Sequence, residues 1–354
     1  MQDFMQEKYS NTDASPNGPD PTASERKKDH IQLAFQSQVD QAELDNRFFY
    51  EPLLSGHPLP GSWQAFTFLG KTLKVPLWVS SMTGGTALAR TINFNLARAC
   101  GEFGMGMGLG SCRQLLYSNE YLPDFDVRNL MGNDLPLYAN LGIAQLEQLI
   151  DAGEIYRIHE LITKLRADGL IIHVNPFQEW LQPEGDRFLR PPLETIESVL
   201  EHAGFPVIVK EVGQGMGKAS LRALMQLPLA AIDFAAAGGT NFSRLELHRA
   251  HPNKAELFDA LARVGHSATE MVDMANALGA ELGPQQRCKE FIVSGGIKNF
   301  LDGYHAISRL TFPAVYGQAS AFLAHARGDY ADLRDYLQRQ IEGLELARAF
   351  LRPR

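Results

Sequence analysis

Eight short apolar runs recur between residues 77 and 317 of this chain, and segments with helical periodicity fill most of the gaps between them. Strands that alternate with helices build βαβ units and a parallel sheet. The runs predict strands at Leu77–Ser81, Met105–Leu109, Leu137–Asn140, Leu170–Val174, Val207–Glu211, Ala230–Phe234, Phe291–Ser294 and Ala314–Gly317. Eight such strands favour an α/β fold with a closed (β/α)8 TIM barrel, and a doubly wound open sheet is the alternative.

The remaining segments place the barrel within the 354 residues. Residues 1–24 are polar and contain several prolines and glycines, so we expect a flexible tail. Residues 25–72 are expected to form an N-terminal arm with a short helix in 25–45, followed by a loop with one hairpin in 52–72. Residues 73–354 are expected to form the barrel and a terminal helix. Helices are predicted at 86–103, 144–167, 193–203, 217–226, 266–281, 299–309 and 329–351.

Composition excludes several classes of protein. The net charge of −8 argues against general binding to nucleic acids or anionic membranes, since both need a basic surface. Three cysteines without a CxxC pair indicate a reduced compartment rather than a disulfide framework. No apolar stretch reaches the roughly 18 residues of a membrane span, and the N-terminus lacks the apolar core of a signal peptide. We therefore expect a cytoplasmic protein with no membrane or nucleic-acid partner.

Polar or glycine-rich clusters follow each of the eight predicted strands. Active sites of TIM barrels lie on the loops at the carboxyl ends of the strands, so these clusters predict one ring of loops around one site. The clusters are SSMTGG at 80–85, GLGSCR at 108–113, NLG at 140–142, HVNPFQE at 173–179, KE at 210–211, GGTN at 238–241, SGG at 294–296 and GQAS at 317–320.

Three of these clusters indicate particular chemistry. The seventh and eighth loops suit a phosphate group, because glycine allows close backbone approach, although SGG alone is also an ordinary tight turn. Lys210 at a strand end would stabilise negative charge at the barrel mouth, unless it lies at the rim in solvent. Glu179 among neutral amide oxygens suits Mg²⁺, and a polar loop with His173 in the core is the alternative. The basic residues Arg26, Lys27 and His30 either face solvent or hold an anionic substrate.

Several separated motifs resemble the type II isopentenyl diphosphate isomerases, over about residues 26–325. The most specific is HVNPFQEWLQPEGDR at 173–187. The others, in chain order, are RKKDH, SSMTGGT, GLGSCR, NLG, VIVKEVG, AAAGGTN, SGGIKNFLDG and GQAS. The resemblance implies a (β/α)8 barrel that binds FMN and Mg²⁺, uses NADPH to reduce the flavin, and interconverts isopentenyl diphosphate and dimethylallyl diphosphate. It also implies a homo-oligomer of four or more subunits.

The resemblance also implies roles for individual residues. Lys210, Gln178, His173, Asn175 and Glu246 correspond to catalytic or neighbouring polar groups, and Glu179 corresponds to the Mg²⁺ ligand. The substrate would be held by Gln178 and by positions on the arm and on the second barrel loop, namely Arg26, Lys27, His30, Ser111 and Arg113. The FMN-contacting positions are Ser80, Ser81, Met82, Thr83, Ser111, Asn140, Lys210, Thr240, Ser294, Gly295, Gly296, Ala319 and Ser320.

Three places depart from the family pattern. Cys112 stands where glutamine is frequent, Ala235 stands where serine or threonine is frequent, and the stretch FLR at 188–190 has no clear counterpart. An FMN oxidase of the 2-hydroxyacid type is the alternative enzyme, since it shares the lysine and the SGG loop. Such oxidases carry a catalytic histidine near the glycine pair after the sixth strand, whereas residues 235–239 here are AAAGG. A flavin-binding sensor without catalysis is the alternative from another class.

Overall fold

The computed structural model of this protein describes residues 22–81 and 87–354. The chain divides into two units, one ending at Arg47 and one running from Phe48 to Arg354. The described residues of the N-terminal unit form a helix, α1 (Ala23–Leu33), and a short 3-10 helix at Gln41–Glu43. The predicted helix of the arm is therefore confirmed, and α1 buries none of its residues.

The second unit contains a closed barrel of eight parallel strands, as predicted. Its closing pair joins Tyr316 of the last strand to Leu77 of the first, which excludes the open-sheet alternative. The barrel strands are β4 (Leu77–Val79), β5 (Gly106–Gly108), β6 (Leu137–Gly142), β7 (Gly169–His173), β8 (Val207–Lys210), β9 (Ala231–Asp233), β10 (Phe291–Ser294) and β11 (Ala314–Gln318). Each lies within two residues of its predicted bounds, because strands buried on both faces form continuous apolar runs.

The barrel core pairs large aromatic side chains with glycines on the next strand. Trp78 is in register with Gly106, where a Cβ atom would lie 2.3 Å from the indole ring. Tyr138 is likewise in register with Gly169, whose Cβ would lie 2.6 Å from the phenol ring. The two aromatic rings pack edge to face, with centroids 6.2 Å apart. Glycine at both positions makes room for a close-packed interior.

Helices surround the barrel, and one prediction about them is wrong. The single helix expected at 144–167 is two helices, because Gly153 has a left-handed φ of +66° and interrupts the helical hydrogen bonds. The longer helices are α2 (Ala87–Phe103), α5 (Ile143–Asp151), α6 (Tyr156–Leu165), α8 (Pro192–His202), α9 (Lys218–Met225), α12 (Ala268–Leu282), α13 (Phe300–Arg309) and α15 (Tyr330–Phe350). No helix within the described ranges is long and apolar enough to cross a membrane.

Six further helices were not predicted, since segments of four to eight residues show too little periodicity. They are α3 (Leu122–Phe125), α4 (Arg128–Met131), α7 (Pro176–Leu181), α10 (Phe242–Arg249), α11 (Pro252–Phe258) and α14 (Ser320–Ala326). The expected hairpin is present as β2 (Phe66–Phe68) and β3 (Lys71–Leu73). A second pair, β1 (Phe48–Tyr50) with β12 (Leu351–Pro353), joins the two ends of this unit and was missed.

Arg128 fixes the amino-terminal ends of β6 and β7. Its buried guanidinium donates to the Asp168 carboxylate at 2.8 Å and to the backbone oxygens of Arg166, Gly132 and Leu135. The same carboxylate accepts from the backbone N–H of Leu137 at 2.8 Å. This end of a TIM barrel lies opposite the active-site face, so we assign the cluster to stability.

We expect Arg128→Met to lower the free energy of unfolding by about 2–3 kcal/mol, because Asp168 loses its buried partner and keeps only Lys71 and the Leu137 N–H, while the Arg166 and Gly132 carbonyl oxygens lose this donor. Urea unfolding followed by circular dichroism measures the change. The control is Arg309→Met, which removes a more exposed ion pair with Asp273 and should cost about 1 kcal/mol or less. A similar small loss in both variants would contradict the structural role of Arg128.

Candidate active site

A cavity of about 330 Å³ lies at the carboxyl ends of the barrel strands, where the loops after β4, β8, β9, β10 and β11 meet. This is the face that the loop clusters predicted. The cavity brings together most of the positions that the resemblance assigns to FMN: Ser80, Ser81, Lys210, Thr240, Ser294, Gly295, Gly296, Ala319 and Ser320. Ser111 and Asn140 do not line it. Met82 and Thr83 lie outside the described residues.

Two glycine pairs form one side of the cavity. Gly295 has φ +89°, and a Cβ atom there would lie 2.0 Å from the Ala236 carbonyl oxygen. Gly238 has φ +107°, and its Cβ would lie 3.1 Å from the Cα atom of Gly296. The loops after β9 and β10 therefore pack backbone against backbone, which only glycine permits. This leaves bare peptide groups along the cavity.

Two buried serine hydroxyls beside the cavity have no hydrogen-bond partner among the described residues: those of Ser80 and Ser81. Buried hydroxyl groups are almost always hydrogen-bonded in folded proteins, to protein atoms, water or a ligand. Gly317 leaves space for the Ser80 hydroxyl, because a Cβ atom at Gly317 would lie 2.4 Å from the Oγ atom of Ser80. Both hydroxyls are thus available to a ligand that fills the cavity.

Three polar side chains lie in register on adjacent strands. His173 on β7 pairs with Lys210 on β8, and Lys210 pairs with Asp233 on β9. The Lys210 ammonium group lines the cavity and donates to the Glu211 carbonyl oxygen at 2.6 Å. Burial raises the pKa of Asp233, and the positive charge of Lys210 offsets part of this rise. Asp233 accepts from the hydroxyl of Ser294, which also lines the cavity.

The neighbouring carboxylate of Glu211 stabilises the loop after β8. It accepts three backbone N–H bonds at 2.6–2.8 Å, from residues 213 to 215. Burial nevertheless raises the pKa of Glu211. Because the carboxylate faces its own loop, we assign Glu211 to the conformation of that loop, not to a ligand.

His173 is held as a neutral ring. Its Nδ1 atom lies 2.7 Å from Oδ1 of Asn140, and Asn140 donates to the Leu109 carbonyl oxygen at 3.0 Å. Since Asn140 Oδ1 can only accept, the proton of the neutral ring belongs on Nδ1. Desolvation lowers the pKa of His173 to about 3, and the positive charge of Lys210 also lowers it. The Nε2 atom faces Gly142, whose missing side chain makes room for the ring.

The loop after β7 and the start of α7 form a hydrogen-bonded cluster. The Asn175 amide donates to Gln178 at 3.0 Å and to the buried carboxylate of Glu179 at 3.1 Å. Gln178 in turn donates to Glu246 on α10 at 3.4 Å, and Arg249 donates to the other oxygen of Glu246 at 2.6 Å. The Oδ1 atom of Asn175 is buried and has no partner within the described part of the chain.

The loop after β5 presents one cation. Arg113 has a side chain that is 53% exposed and forms an ion pair with Asp186 at 2.7 Å. Ser111 is exposed. Cys112 is buried, its thiol faces the Gly110 carbonyl oxygen, and burial raises its pKa to about 12. The departure at Cys112 is thus a fully buried side chain.

The second departure, Ala235, has a left-handed φ of +42° and lines the cavity. Its backbone N–H donates to the Ser294 hydroxyl at 2.9 Å. Its side chain is a methyl group, so this position offers the cavity no side-chain hydrogen-bond donor.

Two residues of this region were missed from the sequence. Asp233 ends an apolar strand, and an acid within such a run is a signal that could have identified it. Asp186 lies within the most specific motif, but its role depends on partners from distant parts of the chain, Arg113 and Gln145. The arm residues Arg26, Lys27 and His30 lie on exposed positions of α1 in the N-terminal unit.

The low pKa of His173 predicts a pH dependence of stability. Between about pH 6.5 and pH 3 the unfolded chain binds a proton that the folded chain does not, so the free energy of unfolding falls as the pH falls. Between pH 7 and pH 4.5 the free energy of unfolding should fall by about 2 kcal/mol less in His173→Asn than in the wild type. Urea unfolding at both pH values measures the difference. The control is His159→Asn, at an exposed histidine. An unchanged pH dependence in His173→Asn would contradict the assignment.

Comparison with known proteins adds relatives that match most of the chain. This chain is 33% identical over 326 residues to the isopentenyl-diphosphate delta-isomerase of Rickettsia africae, and the match covers 91% of this chain and 92% of the relative. It is 37% identical over 289 residues to the enzyme of that name from Synechococcus sp., covering 80% of each. No protein-family model matches the chain.

Solved structures agree with the fold. A flavocytochrome b2 variant with sulfite bound matches 98% of this chain and 87% of its own, with a TM-score of 0.59 and 14% identity. A mandelate oxidase with 3,3-difluoro-2-hydroxy-3-phenylpropionic acid matches 85% of this chain and 81% of its own, with a TM-score of 0.53 and 15% identity. At this identity the match supports the barrel and no particular activity. The sequence relatives are closer, and they show that the chain belongs to the isopentenyl-diphosphate delta-isomerase family.

Proposed function

We propose that this protein interconverts isopentenyl diphosphate and dimethylallyl diphosphate, with reduced FMN in the strand-end cavity and Mg²⁺ at Glu179. One observation carries the proposal beyond family membership. The hydrogen-bonded cluster of Asn175, Gln178, Glu179 and Glu246 lies on the same barrel face as the glycine-lined cavity. The cavity would place the cofactor at the alkene end of the substrate. The cluster would place the metal ion at the diphosphate end.

The residues of the cavity fit FMN. The peptide groups of Gly295 and Gly296, with Ala319 and Ser320, suit its phosphate, since glycine loops allow close approach to an anion. Lys210 supplies a positive charge against the reduced ring, and the unpartnered hydroxyls of the first loop supply donors. When bound, reduced flavin supplies a group that exchanges a proton with the substrate alkene without net oxidation.

The residues of the β7 loop fit Mg²⁺ shared with a diphosphate. Within residues 22–81 and 87–354, no group of three or more His, Cys, Asp or Glu side chains could hold a metal alone. Mg²⁺ commonly takes one or two carboxylates together with substrate phosphates and water. Glu179 supplies the carboxylate, and the unpartnered Oδ1 of Asn175 supplies a neutral oxygen nearby. When bound, Mg²⁺ neutralises the diphosphate and fixes its position.

The neighbouring side chains orient these groups. Asn175 holds the side chains of Gln178 and Glu179 together through its amide nitrogen. Gln178 connects to Glu246 and directs its amide toward the cluster. Neutral His173, next to Lys210, adds no second positive charge to the site. Arg113 offers an exposed guanidinium to the diphosphate.

The oxidase alternative lacks the histidine that it requires after the sixth barrel strand. Residues 235–241, after β9, contain no histidine. His266 contacts this loop through its carbonyl oxygen, which accepts from the backbone N–H of Ala237, while its ring lies 2.8 Å from Glu270. A ring engaged with Glu270 does not face the cavity as an oxidase base would.

The decisive experiment uses the FMN-loaded protein under anaerobic conditions. With Mg²⁺ and NADPH, isopentenyl diphosphate should convert to dimethylallyl diphosphate, and the oxidised protein should not catalyse this conversion. Bleaching of the oxidised flavin by substrate would indicate an oxidase instead. Flavin binding without either reaction would indicate a sensor.

Lys210→Ala should weaken FMN binding or abolish turnover of the reduced enzyme, because the cavity loses its positive charge. Visible absorbance after dialysis reports flavin content, and the isomerase assay reports turnover. Lys218→Ala is the control, since Lys218 forms a surface ion pair with Glu281. A Lys210→Ala variant with full flavin content and full activity would refute this role.

Glu179→Gln should raise the Mg²⁺ concentration for half-maximal activity by about tenfold or more, because amide oxygens bind Mg²⁺ more weakly than carboxylate. Glu281→Gln is the control, since Glu281 pairs with Lys218 and Arg222 at the surface. An unchanged Mg²⁺ titration in Glu179→Gln would show that Glu179 is not the ligand.

Several details stay predictions from the resemblance. They are substrate binding by Arg26, Lys27 and His30, and the contribution of residues 25–72 to the site. They also include NADPH as reductant, a homo-oligomer of four or more subunits, and a cytoplasmic location.

A further inference from the structure

Asp186 accepts hydrogen bonds from two other segments of the chain, the one after β5 and helix α5. Its carboxylate lies 2.7 Å from Nη1 of Arg113, which follows β5. The same carboxylate lies 3.1 Å from Nε2 of Gln145 and 3.2 Å from Nε2 of Gln148, both on α5. Gln145 in turn accepts from the backbone N–H of Gly142 at 3.1 Å. The side chain of Asp186 is 20% exposed, so these bonds are partly shielded from water.

The main chain of Asp186 contacts a different group. Its backbone N–H donates to Oε2 of Glu179 at 2.8 Å. The turn before it packs tightly on α7, because a Cβ atom at Gly185 would lie 1.9 Å from the Glu179 carbonyl oxygen. Arg187 donates to that same oxygen at 2.5 Å. Asp186 therefore joins the proposed metal ligand, through its main chain, to an exposed cation, through its side chain.

A carboxylate next to an arginine can have either of two effects on an anionic ligand. It can compete with the ligand for the guanidinium, or it can hold the guanidinium in a binding orientation. The contacts favour orientation: Arg113 reaches Asp186 through Nη1, while its side chain stays 53% exposed. The carboxylate also binds two glutamines of α5, so it stays in place when the arginine engages a ligand.

We propose that Asp186 is a positioning residue that sets the distance and direction between Arg113 and Glu179, and so adapts the site to a metal-bound diphosphate. The inference rests on the proposed function, since it takes Glu179 as the metal ligand. The ligand chemistry it requires is narrow: two linked phosphates, one coordinated through the metal and the other held by the guanidinium.

Asp186→Asn separates the two contacts, because it keeps the backbone N–H to Glu179 and alters the side chain that holds Arg113. We expect KM for isopentenyl diphosphate to rise about tenfold while kcat stays within about threefold, since binding of the diphosphate is lost and the chemistry is not. The Mg²⁺ requirement should change little. The matched control is Asp126→Asn, which alters a 2.6 Å ion pair with Arg166 outside the site.

A double-mutant cycle tests whether Asp186 acts through Arg113. The double variant Arg113→Ala/Asp186→Asn should have the KM of Arg113→Ala alone, because the second change has nothing left to position. Additive effects, a lower KM in Asp186→Asn, or an unchanged KM would each overturn the proposal. If Asp186→Asn does not fold, the test uses Gln148→Met instead. This variant removes one hydrogen-bond donor to the Asp186 carboxylate, and its KM should also rise.

Binding of inorganic pyrophosphate with Mg²⁺, measured by calorimetry on the FMN-loaded protein, separates this inference from the proposed function. Tighter binding by the wild type than by Asp186→Asn supports the inference even if no isomerisation is observed. Normal isomerisation with equal binding by both proteins overturns the inference alone. Absence of pyrophosphate binding by the wild type overturns the inference, and absence of isomerisation as well overturns both.

Discussion

Closure of the sheet is the constraint on which the site depends. The pairing of β11 with β4 makes the eight strands a ring, so the carboxyl ends of strands far apart in sequence meet at one mouth. Register within the ring then sets the chemistry. His173, Lys210 and Asp233 occupy equivalent positions on three adjacent strands, and a shift of one residue would turn each side chain to the opposite face.

Much of this architecture could be predicted from the sequence. The eight strands were found because a parallel strand covered on both faces must be apolar along its length. The glycine loops after β10 and β11 were assigned to one cavity from their order in a barrel alone. The split of the helix expected at 144–167 was missed because the apolar pattern continues on both sides of Gly153, and a single backbone angle breaks it.

The partners within the site were less predictable, for a physical reason. Hydrogen bonds such as Asp186 to Arg113 join residues 73 positions apart, and Ser294 reaches Asp233 across 61 positions. Neither pair leaves a local pattern, because the contact exists only after the loops are brought together. The sequence identified which side chains are unusual, and the fold determines which of them meet.

The burial of Cys112 has a consequence for how the enzyme responds to oxidants. A thiol with a pKa of about 12 carries almost no thiolate near neutral pH, and thiolate is the form that peroxides and alkylating reagents attack. Cys288 has a pKa of about 12 as well, and burial also raises that of Cys100. These are all three cysteines of the chain. Labelling of its thiols would therefore report loss of the fold, and oxidative inactivation of the folded enzyme would have to begin at a group other than cysteine.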